Sequence, residues 1–174
     1  LGLQSEYPLL VADIGGTNVR FGWVATPDAT LSNIDLFACA NFPGPIEATE
    51  AYLRRHHAGA RPARCVIAIA TAVTDGPIKV TNSDWILESA KLAAAVSAVS
   101  VEIFNDFEAI ALGLPSLAKS DYTLVGTALP DCRFPMAVIG PGTGLGVAGI
   151  MPVRGQAGIW QTLCGEGGHV TLAS

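Results

Sequence analysis

The sequence predicts an α/β fold, in which a mixed β-sheet with flanking helices is followed by the first strands of a second domain. Short apolar runs bounded by glycine, proline or polar residues are typical of buried strands, and segments with helical spacing separate the later runs. The chain has 174 residues, of which 50% are hydrophobic and 14% charged. It is therefore long and apolar enough for one packed domain and part of another.

We predict five strands in the first part of the chain. The first is a continuous apolar run that ends at Ile14, and a glycine-rich turn joins it to a strand in which Val19, Phe21 and Trp23 alternate. Cys65 begins a later apolar run, where a buried free thiol is expected. The predicted strands are 8–14, 19–25, 34–42, 64–72 and 99–104, with a short extension at 76–82.

Three helices are predicted between and after these strands. A polar helix follows Pro45, and the two histidines at 56–57 lie in a polar stretch typical of a solvated helix end. The second helix is predicted at 86–96, with Ser83 or Asp84 as its N-cap. The third follows the last strand, and its apolar face is predicted to hold Phe107, Ile110, Ala111 and Leu114.

A change of pattern near residue 118 predicts a domain boundary. Before it, the order is three strands, helix, strand, helix, strand, helix, and after it a new series of strands begins. We therefore predict a small α/β domain at 1–117 and the start of a larger, incomplete domain at 118–174.

Composition and charge exclude several function classes. The net charge of −5 offers no basic face for nucleic acid. The longest uncharged stretch, 134–153, contains five glycines and three prolines, so a membrane-spanning helix is not expected there. The four cysteines form no CxxC pair, which argues against a disulfide scaffold or a closed zinc site. The simplest account of these cysteines is a reducing, cytoplasmic compartment, and no signal peptide is visible at 1–10.

A glycine-rich turn with flanking polar groups follows the first strand. The backbone N–H groups of such a turn and the hydroxyl of Thr17 can bind phosphate oxygens, and Asp13 can hold Mg²⁺ through water. A tight hairpin without a ligand explains the glycine pair equally well, so both interpretations stay open here. The run consists of Asp13, Ile14, Gly15, Gly16, Thr17 and Asn18.

A second glycine-rich run lies at 140–146, where four glycines alternate with other residues. Close approach of the backbone to a ligand would explain this spacing. The overlapping GxGxxG pattern at 144–149 is not interpreted as a dinucleotide site, because Pro152 follows where such a site requires a helix. A P-loop is excluded because the chain contains no Gly-Lys pair.

Two pairs of polar residues complete the candidate site. Asn105 and Asp106 lie where a strand is followed by a helix. Asp106 can cap that helix, or it can take a proton from a substrate hydroxyl at the carboxyl edge of the sheet while Asn105 donates to a neighbouring oxygen. Glu166 and His169 are three residues apart, and three glycines surround them. The glycines favour a specially shaped loop that directs both side chains into one cleft over a pair on the open surface. A pair of metal ligands would have the same spacing.

Taken in order, five motifs resemble those of bacterial glucokinases of the proteobacterial type, within the superfamily of sugar kinases, actin and heat-shock chaperones. The resemblance extends from about Pro8 to Ala173 and implies an actin-like ATPase (ribonuclease H-like) fold. It also implies ATP-dependent phosphorylation of the 6-hydroxyl of glucose. The motifs are DIGGTN at 13–18, TNSDW at 81–85, FNDF at 104–107, GPGTGLG at 140–146 and GEGGH at 165–169.

The same resemblance implies roles for individual residues. Asp106 matches the general base, and Asn105, Glu166 and His169 match residues that hydrogen-bond the sugar. Glucose and ATP are the implied partners, Mg²⁺ the implied metal, and a homodimer the implied assembly. The residues that match the two phosphate-binding loops are Asp13, Ile14, Gly15, Gly16, Thr17, Asn18, Gly142 and Thr143.

Two departures from the family pattern stand out. Ala12 precedes the first aspartate, where family members often have glycine. The chain also ends at Ser174, before a further sugar-contacting glutamate and the adenosine-binding segment of the family, so we expect an N-terminal portion of a glucokinase. A sugar-binding or regulatory fragment without kinase activity is the alternative, whereas the Asn-Asp and Glu-x-x-His pairs disfavour a chaperone or filament ATPase.

Overall fold

The computed structural model describes residues 6–58, 60–127, 130–141, 145–156 and 158–165, and the chain divides into two units, Leu1–Asp106 and Phe107–Ser174. The first unit follows the predicted order of strands and helices, apart from an additional short hairpin. Its elements are β1 (Leu9–Ile14), β2 (Asn18–Val24), β3 (Ser32–Ala38), α1 (Pro45–His56), β4 (Arg64–Ile69), β5 (Ile78–Lys79), β6 (Ile86–Leu87), α2 (Ser89–Val96) and β7 (Ser100–Asn105).

Five of these strands form one mixed sheet in the order β3-β2-β1-β4-β7. Strand β2 pairs antiparallel with both β1 and β3, whereas β4 pairs parallel with both β1 and β7. Parallel neighbours require long connections, and helices α1 and α2 lie within the two connections that the sheet uses. The predicted mixed sheet with flanking helices is therefore confirmed.

One face of the sheet carries the core of the first unit. Alternate residues of the central strands are buried, such as Leu10 and Ile14 in β1. The fully buried ring of Tyr52 in α1 stacks on Phe21 with ring centroids 5.1 Å apart. Cys65 lies in the same core, as its apolar run predicts, and burial raises the pKa of its thiol to about 12.

The helix predicted at 86–96 is wrong in its first part. Ile86–Leu87 forms strand β6, which pairs antiparallel with β5 and buries Leu87 completely. Helix α2 begins only at Ser89, after Glu88 in an extended conformation and without a side-chain cap. A pair of apolar residues suits either a strand or a helix. In this case pairing with β5 makes Ile86–Leu87 a strand.

The predicted N-cap at Ser83 or Asp84 is also wrong, because both residues precede β6. The hydroxyl of Ser83 instead accepts a hydrogen bond from the backbone N–H of Trp85 at 3.2 Å. The third strand is shorter than predicted as well, since β3 is followed by a 3-10 turn at Cys39–Asn41.

The predicted solvated helix end holds for Arg54, Arg55 and Ala58, which are exposed, but the two histidines between them are half-buried. The His57 ring stacks on Trp23 with centroids 4.0 Å apart, and its Nε2 accepts a hydrogen bond from the side-chain amide of Asn33 at 3.1 Å. The Nε2 of His56 lies 2.9 Å from Oδ2 of Asp35. Side chains of β2 and β3 therefore contact both imidazole rings.

The second unit contains a three-stranded antiparallel sheet and most of helix α3 (Asp106–Gly113). Its strands are β8 (Met136–Pro141), β9 (Leu145–Pro152) and β10 (Trp160–Gly165), in the order β10-β9-β8. Ala111 of α3 is buried with Ala148 and Ile150 of β9. Packing thus divides the chain after Asp106, earlier than the predicted domain boundary at 117/118, which stays a prediction.

The apolar face predicted for the third helix is right at three positions and wrong at one. Phe107, Ala111 and Leu114 join the second core, whereas Ile110 is 49% exposed. Strand β9 covers the end of the GxGxxG pattern, so the helix that a dinucleotide site needs does not follow it. Among the described residues, no helix is long and apolar enough to cross a membrane.

We predict that the protein loses stability as the pH falls below about 6.5, the usual pKa of histidine. Burial and the neighbouring His56 lower the pKa of His57, so the unfolded chain binds a proton more readily than the folded one. Urea unfolding at pH 7.5 and pH 5.5 measures the loss. The His57→Phe variant keeps a ring against Trp23 but cannot titrate, so its loss should be smaller. An equal loss in both proteins would contradict the assignment to His57.

Candidate active site

The carboxyl ends of β1, β4 and β7 lie side by side at one edge of the first sheet. Ile14 is level with Ile69 in the parallel ladder, and Ile69 is level with Asn105. The glycine-rich turn after β1 and Asp106 after β7 therefore leave the sheet at the same edge, two strand spacings or roughly 10 Å apart. Open α/β sheets bind their ligands at this edge.

The turn at 15–18 is tight and borders a concave surface. The N–H of Gly15 donates to the carbonyl of Asn18 at 2.9 Å, which closes the connection between β1 and β2. Five of the six residues predicted for this loop line the same surface. Its lining residues are Asp13, Gly15, Gly16, Thr17, Asn18, Arg20 and Leu36.

Ile14 is the member of the predicted loop whose side chain lies elsewhere. It is 2% exposed and belongs to the core, while its carbonyl accepts a hydrogen bond from the N–H of Ala70 at 3.2 Å. Ala12, which stands where the family often has glycine, is buried in the same core. These two residues therefore hold the turn to the sheet and present no side chain to the concave surface.

Arg20 is a residue of this surface that the sequence analysis missed. It lies directly opposite Asp13 in the β1–β2 ladder, and its guanidinium lies 3.9 Å from the Asp13 carboxylate. Both side chains are about 60% exposed, so the ion pair is weak and accessible. The alternation of β2 was the available signal, because it places Arg20 on the face opposite the buried Val19 and Phe21.

The position of Asp13 fits the expected Mg²⁺. In proteins Mg²⁺ keeps several waters and is held by one or two carboxylates together with substrate phosphates. Asp13 offers an exposed carboxylate beside the Gly15–Gly16 turn. The described part of the chain contains no cluster of three or more His, Cys, Asp or Glu side chains that could hold a metal. A single exposed carboxylate beside this turn suits an ion that arrives with a phosphate ligand.

The TNSDW motif packs against the same turn. A Cβ added to Gly16 would lie 2.4 Å from the carbonyl oxygen of Thr81 and 3.1 Å from Cβ of Asn82. Asn82 has a φ of 59°, and the backbone N–H of Val80 donates to the carbonyl of Trp85, so the segment forms a turn of its own. Glycine at position 16 thus allows the two turns to touch. This packing requirement is a second reason for glycine here, in addition to the expected binding of phosphate by the backbone of the turn.

Asn105 contributes to the loop that follows β4. Its side-chain Nδ2 donates to the carbonyl of Thr71 at 3.1 Å, which ties the end of β7 to the chain after β4. Asp106 is the first residue of α3. The structure thus places both residues at the carboxyl edge, as predicted, and adds a bracing contact that the sequence did not indicate.

The second glycine-rich run has a different explanation at two of its positions. Gly140 and Gly146 are level with each other in the β8–β9 ladder, and the ring of Phe107 lies against both. A Cβ on Gly146 would lie 2.0 Å from Cε2 of that ring. Packing against Phe107 therefore already requires glycine at these two positions, and close approach to a ligand stays a prediction. Gly142 and Thr143, together with Glu166 and His169, lie outside the described residues.

Comparison with solved structures identifies the class of fold. The chain is similar to the crystal structure of a glucokinase from an Antarctic psychrotroph, with a TM-score of 0.84, 32% identity and coverage of 96% of this chain and 52% of that one. A Balamuthia mandrillaris glucokinase in complex with glucose gives a TM-score of 0.66 at 20% identity, covering 95% of this chain and 49% of that one. The structure therefore has the actin-like fold of the sugar kinases.

Another solved structure of the same class has AMPPNP bound together with glucose. A ROK family glucokinase from Streptomyces griseus, in complex with glucose and AMPPNP, has a TM-score of 0.59 and 23% identity, covering 88% of this chain and 47% of that one. At this identity the likeness concerns the fold alone.

The family follows from the sequence comparison. The family model described as Glucokinase matches residues 10–174, so the chain belongs to the glucokinase family. It is 40% identical to a glucokinase of Paramagnetospirillum magneticum over 95% of this chain and 51% of the relative, and 37% identical to one of Aromatoleum aromaticum over 99% and 51%. The chain thus spans about half the length of the curated relatives that it matches.

We predict that Gly16→Ala lowers the unfolding free energy by about 1–3 kcal/mol, because the backbone at Thr81 cannot accommodate a methyl group at 2.4 Å. Thermal unfolding measures the effect. Gly15→Ala is the matched control, since its Cβ would meet nothing nearer than the carbonyl of Asn18 at 3.4 Å. A loss for Gly15→Ala as large as that for Gly16→Ala would refute the packing explanation.

Thermal unfolding also tests the packing of the Phe107 ring against Gly140 and Gly146. Gly146→Ala should destabilise the protein by about 1–3 kcal/mol because the new methyl group collides with the Phe107 ring. Phe107→Leu in the same chain should recover part of that loss, giving a favourable coupling in a double-mutant cycle. Gly113→Ala meets no atom within 4 Å and serves as the neutral control. Strictly additive effects at 107 and 146 would be evidence against the contact.

Proposed function

We propose that the full-length protein containing this chain is a glucokinase, which transfers the γ-phosphoryl group of ATP to the 6-hydroxyl of glucose. The observation that carries the proposal is the shared edge of β1, β4 and β7, where a phosphate-type turn and the Asn105–Asp106 pair emerge together. Membership of the glucokinase family supports the same conclusion. The ligands of two proteins of this fold, glucose in one and glucose with AMPPNP in the other, agree with this choice of substrates.

Asp106 is proposed as the general base. Its carboxylate takes the proton of the 6-hydroxyl while the sugar oxygen forms a bond to the γ-phosphorus and the bond from that phosphorus to the departing ADP oxygen breaks. Asp106 follows directly on β7. The end of that strand in the sheet therefore positions its backbone, which suits a base that must meet one hydroxyl of the sugar.

Asn105, Glu166 and His169 are proposed to hydrogen-bond the sugar hydroxyls. The side-chain amide of Asn105 donates to the carbonyl of Thr71. That contact fixes the plane of the amide, so the proposed donation to glucose has a set direction. Such fixed donors align the reacting hydroxyl, which is the main contribution that a kinase makes to phosphoryl transfer.

The phosphates of ATP are proposed to bind the turn at 13–18 and the segment Gly142–Thr143. Backbone N–H groups at 15–18 and the Thr17 hydroxyl supply donors, and Arg20 adds a positive charge on the same concave surface. Asp13 would hold Mg²⁺, which when bound neutralises phosphate charge. These groups explain how a chain with a net charge of −5 can bind a polyanion. We also propose that the full-length protein is a cytoplasmic homodimer.

We predict that Asp106→Asn lowers kcat of the full-length protein by at least ~10²-fold, because the amide cannot accept the proton. A coupled assay with glucose and Mg·ATP measures kcat, and calorimetry should show glucose affinity largely retained. Asp28→Asn, at an exposed aspartate between β2 and β3, is the charge-matched control and should leave kcat unchanged. A wild-type protein that does not phosphorylate glucose contradicts the function, and a near-normal kcat for Asp106→Asn contradicts the role of the base.

A further inference from the structure

Cys39 makes two polar contacts with the turn that borders the concave surface. It is the first residue of the 3-10 turn after β3 and is 4% exposed. Its backbone N–H donates to the carbonyl of Thr17 at 2.8 Å, which continues the β2–β3 ladder one bond past the end of β3. Its Sγ–H donates to the carbonyl of Gly15 at 3.6 Å.

These two contacts determine the direction of two N–H groups. In a trans peptide the carbonyl and the following N–H point in opposite directions. Since the carbonyls of Gly15 and Thr17 point at Cys39, the N–H groups of Gly16 and Asn18 point away from it. The thiol of Cys39 is buried in the core and Gly16 lines the concave surface, so the N–H of Gly16 points away from the core, toward the side of that surface.

The chemistry of the buried thiol suits this contact. Burial raises the pKa of Cys39, so the sulfur keeps its proton at neutral pH and remains a donor to the Gly15 carbonyl. A carbonyl without that donor is able to rotate with its peptide plane, which would turn the N–H of Gly16 out of its direction. Cys65 is buried in the same core and provides a comparison, because it lies in β4, within the sheet and away from the turn.

We propose that Cys39 is a positioning residue for nucleotide binding, which orients the N–H groups of the glycine-rich turn by holding the carbonyls of Gly15 and Thr17. The inference rests on the proposed function, because it assigns the phosphates of ATP to that turn. Neither the motifs nor the resemblance assigns Cys39 a role. It acts through the backbone of the turn and needs no contact with the nucleotide itself.

The test compares three variants of the full-length protein: Cys39→Ala, which removes the donor, Cys39→Ser, which restores one, and Cys65→Ala, which removes a buried thiol elsewhere in the core. Calorimetry with Mg·ADP measures nucleotide binding directly, and kinetics give KM for ATP and for glucose. We expect Cys39→Ala to weaken Mg·ADP binding roughly 3- to 10-fold, the effect of one lost hydrogen bond, with KM for glucose unchanged. Cys39→Ser should recover most of the affinity.

The control separates positioning from stability. Both alanine variants should unfold more readily than the wild type, but Cys65→Ala should bind Mg·ADP with normal affinity. Equal nucleotide affinity in Cys39→Ala and Cys65→Ala would overturn the inference. If Cys39→Ala does not fold, Cys39→Val fills the volume without a donor and is compared with Cys39→Ser in its place. A wild-type protein that binds Mg·ADP but does not phosphorylate glucose would overturn the proposed function while leaving Cys39 testable by the same titration.

Discussion

In the parallel ladder formed by β1, β4 and β7, each backbone hydrogen bond fixes how far one strand extends past its neighbour. The core determines this register, because Ile14 and Ile69 are buried on one face and a slip of either strand by one residue would turn its own buried side chains toward the other face. With the register set, the chain leaves β1 and β7 at the same edge. The position of Asp106 relative to the glycine-rich turn is thus a consequence of packing on the far side of the sheet.

Two neighbouring segments support the glycine-rich turn. Thr81 and Asn82 touch it at Gly16, and Cys39 holds it from the core through two carbonyls. The TNSDW segment is itself anchored, because the indole N–H of Trp85 donates to the carbonyl of Phe42 at 3.2 Å. Gly15 and Gly16 have no side chains that could hold the backbone N–H groups of the turn in place. Neighbouring segments must therefore supply the rigidity that a phosphate site needs.

Local patterns were enough to predict much of this fold. The continuous run of β1, the alternation of β2 and the proline at the start of α1 each depend on residues close in sequence. The β5–β6 hairpin was missed because Ile86 and Leu87 are as apolar as the start of a helix, and only the partner strand distinguishes the two. The roles of Arg20 and Cys39, and the contact of Thr81 with the turn, were missed for a related reason. Their relation to the turn depends on strand register or on contact between distant segments. The type of a residue alone does not reveal either.

The order of the strands along the chain also affects how the sheet can assemble. Strands β1, β2 and β3 pair with their sequence neighbours through short connections, whereas β4 and β7 must wait for intervening helices before they can join. During synthesis the three-stranded meander therefore leaves the ribosome first, together with Cys39 directly behind β3. The glycine-rich turn can close before β7 and Asp106, the proposed general base, have been made. The two parts of the proposed site are thus separated in time as the chain is synthesised, although they share one edge in the folded sheet.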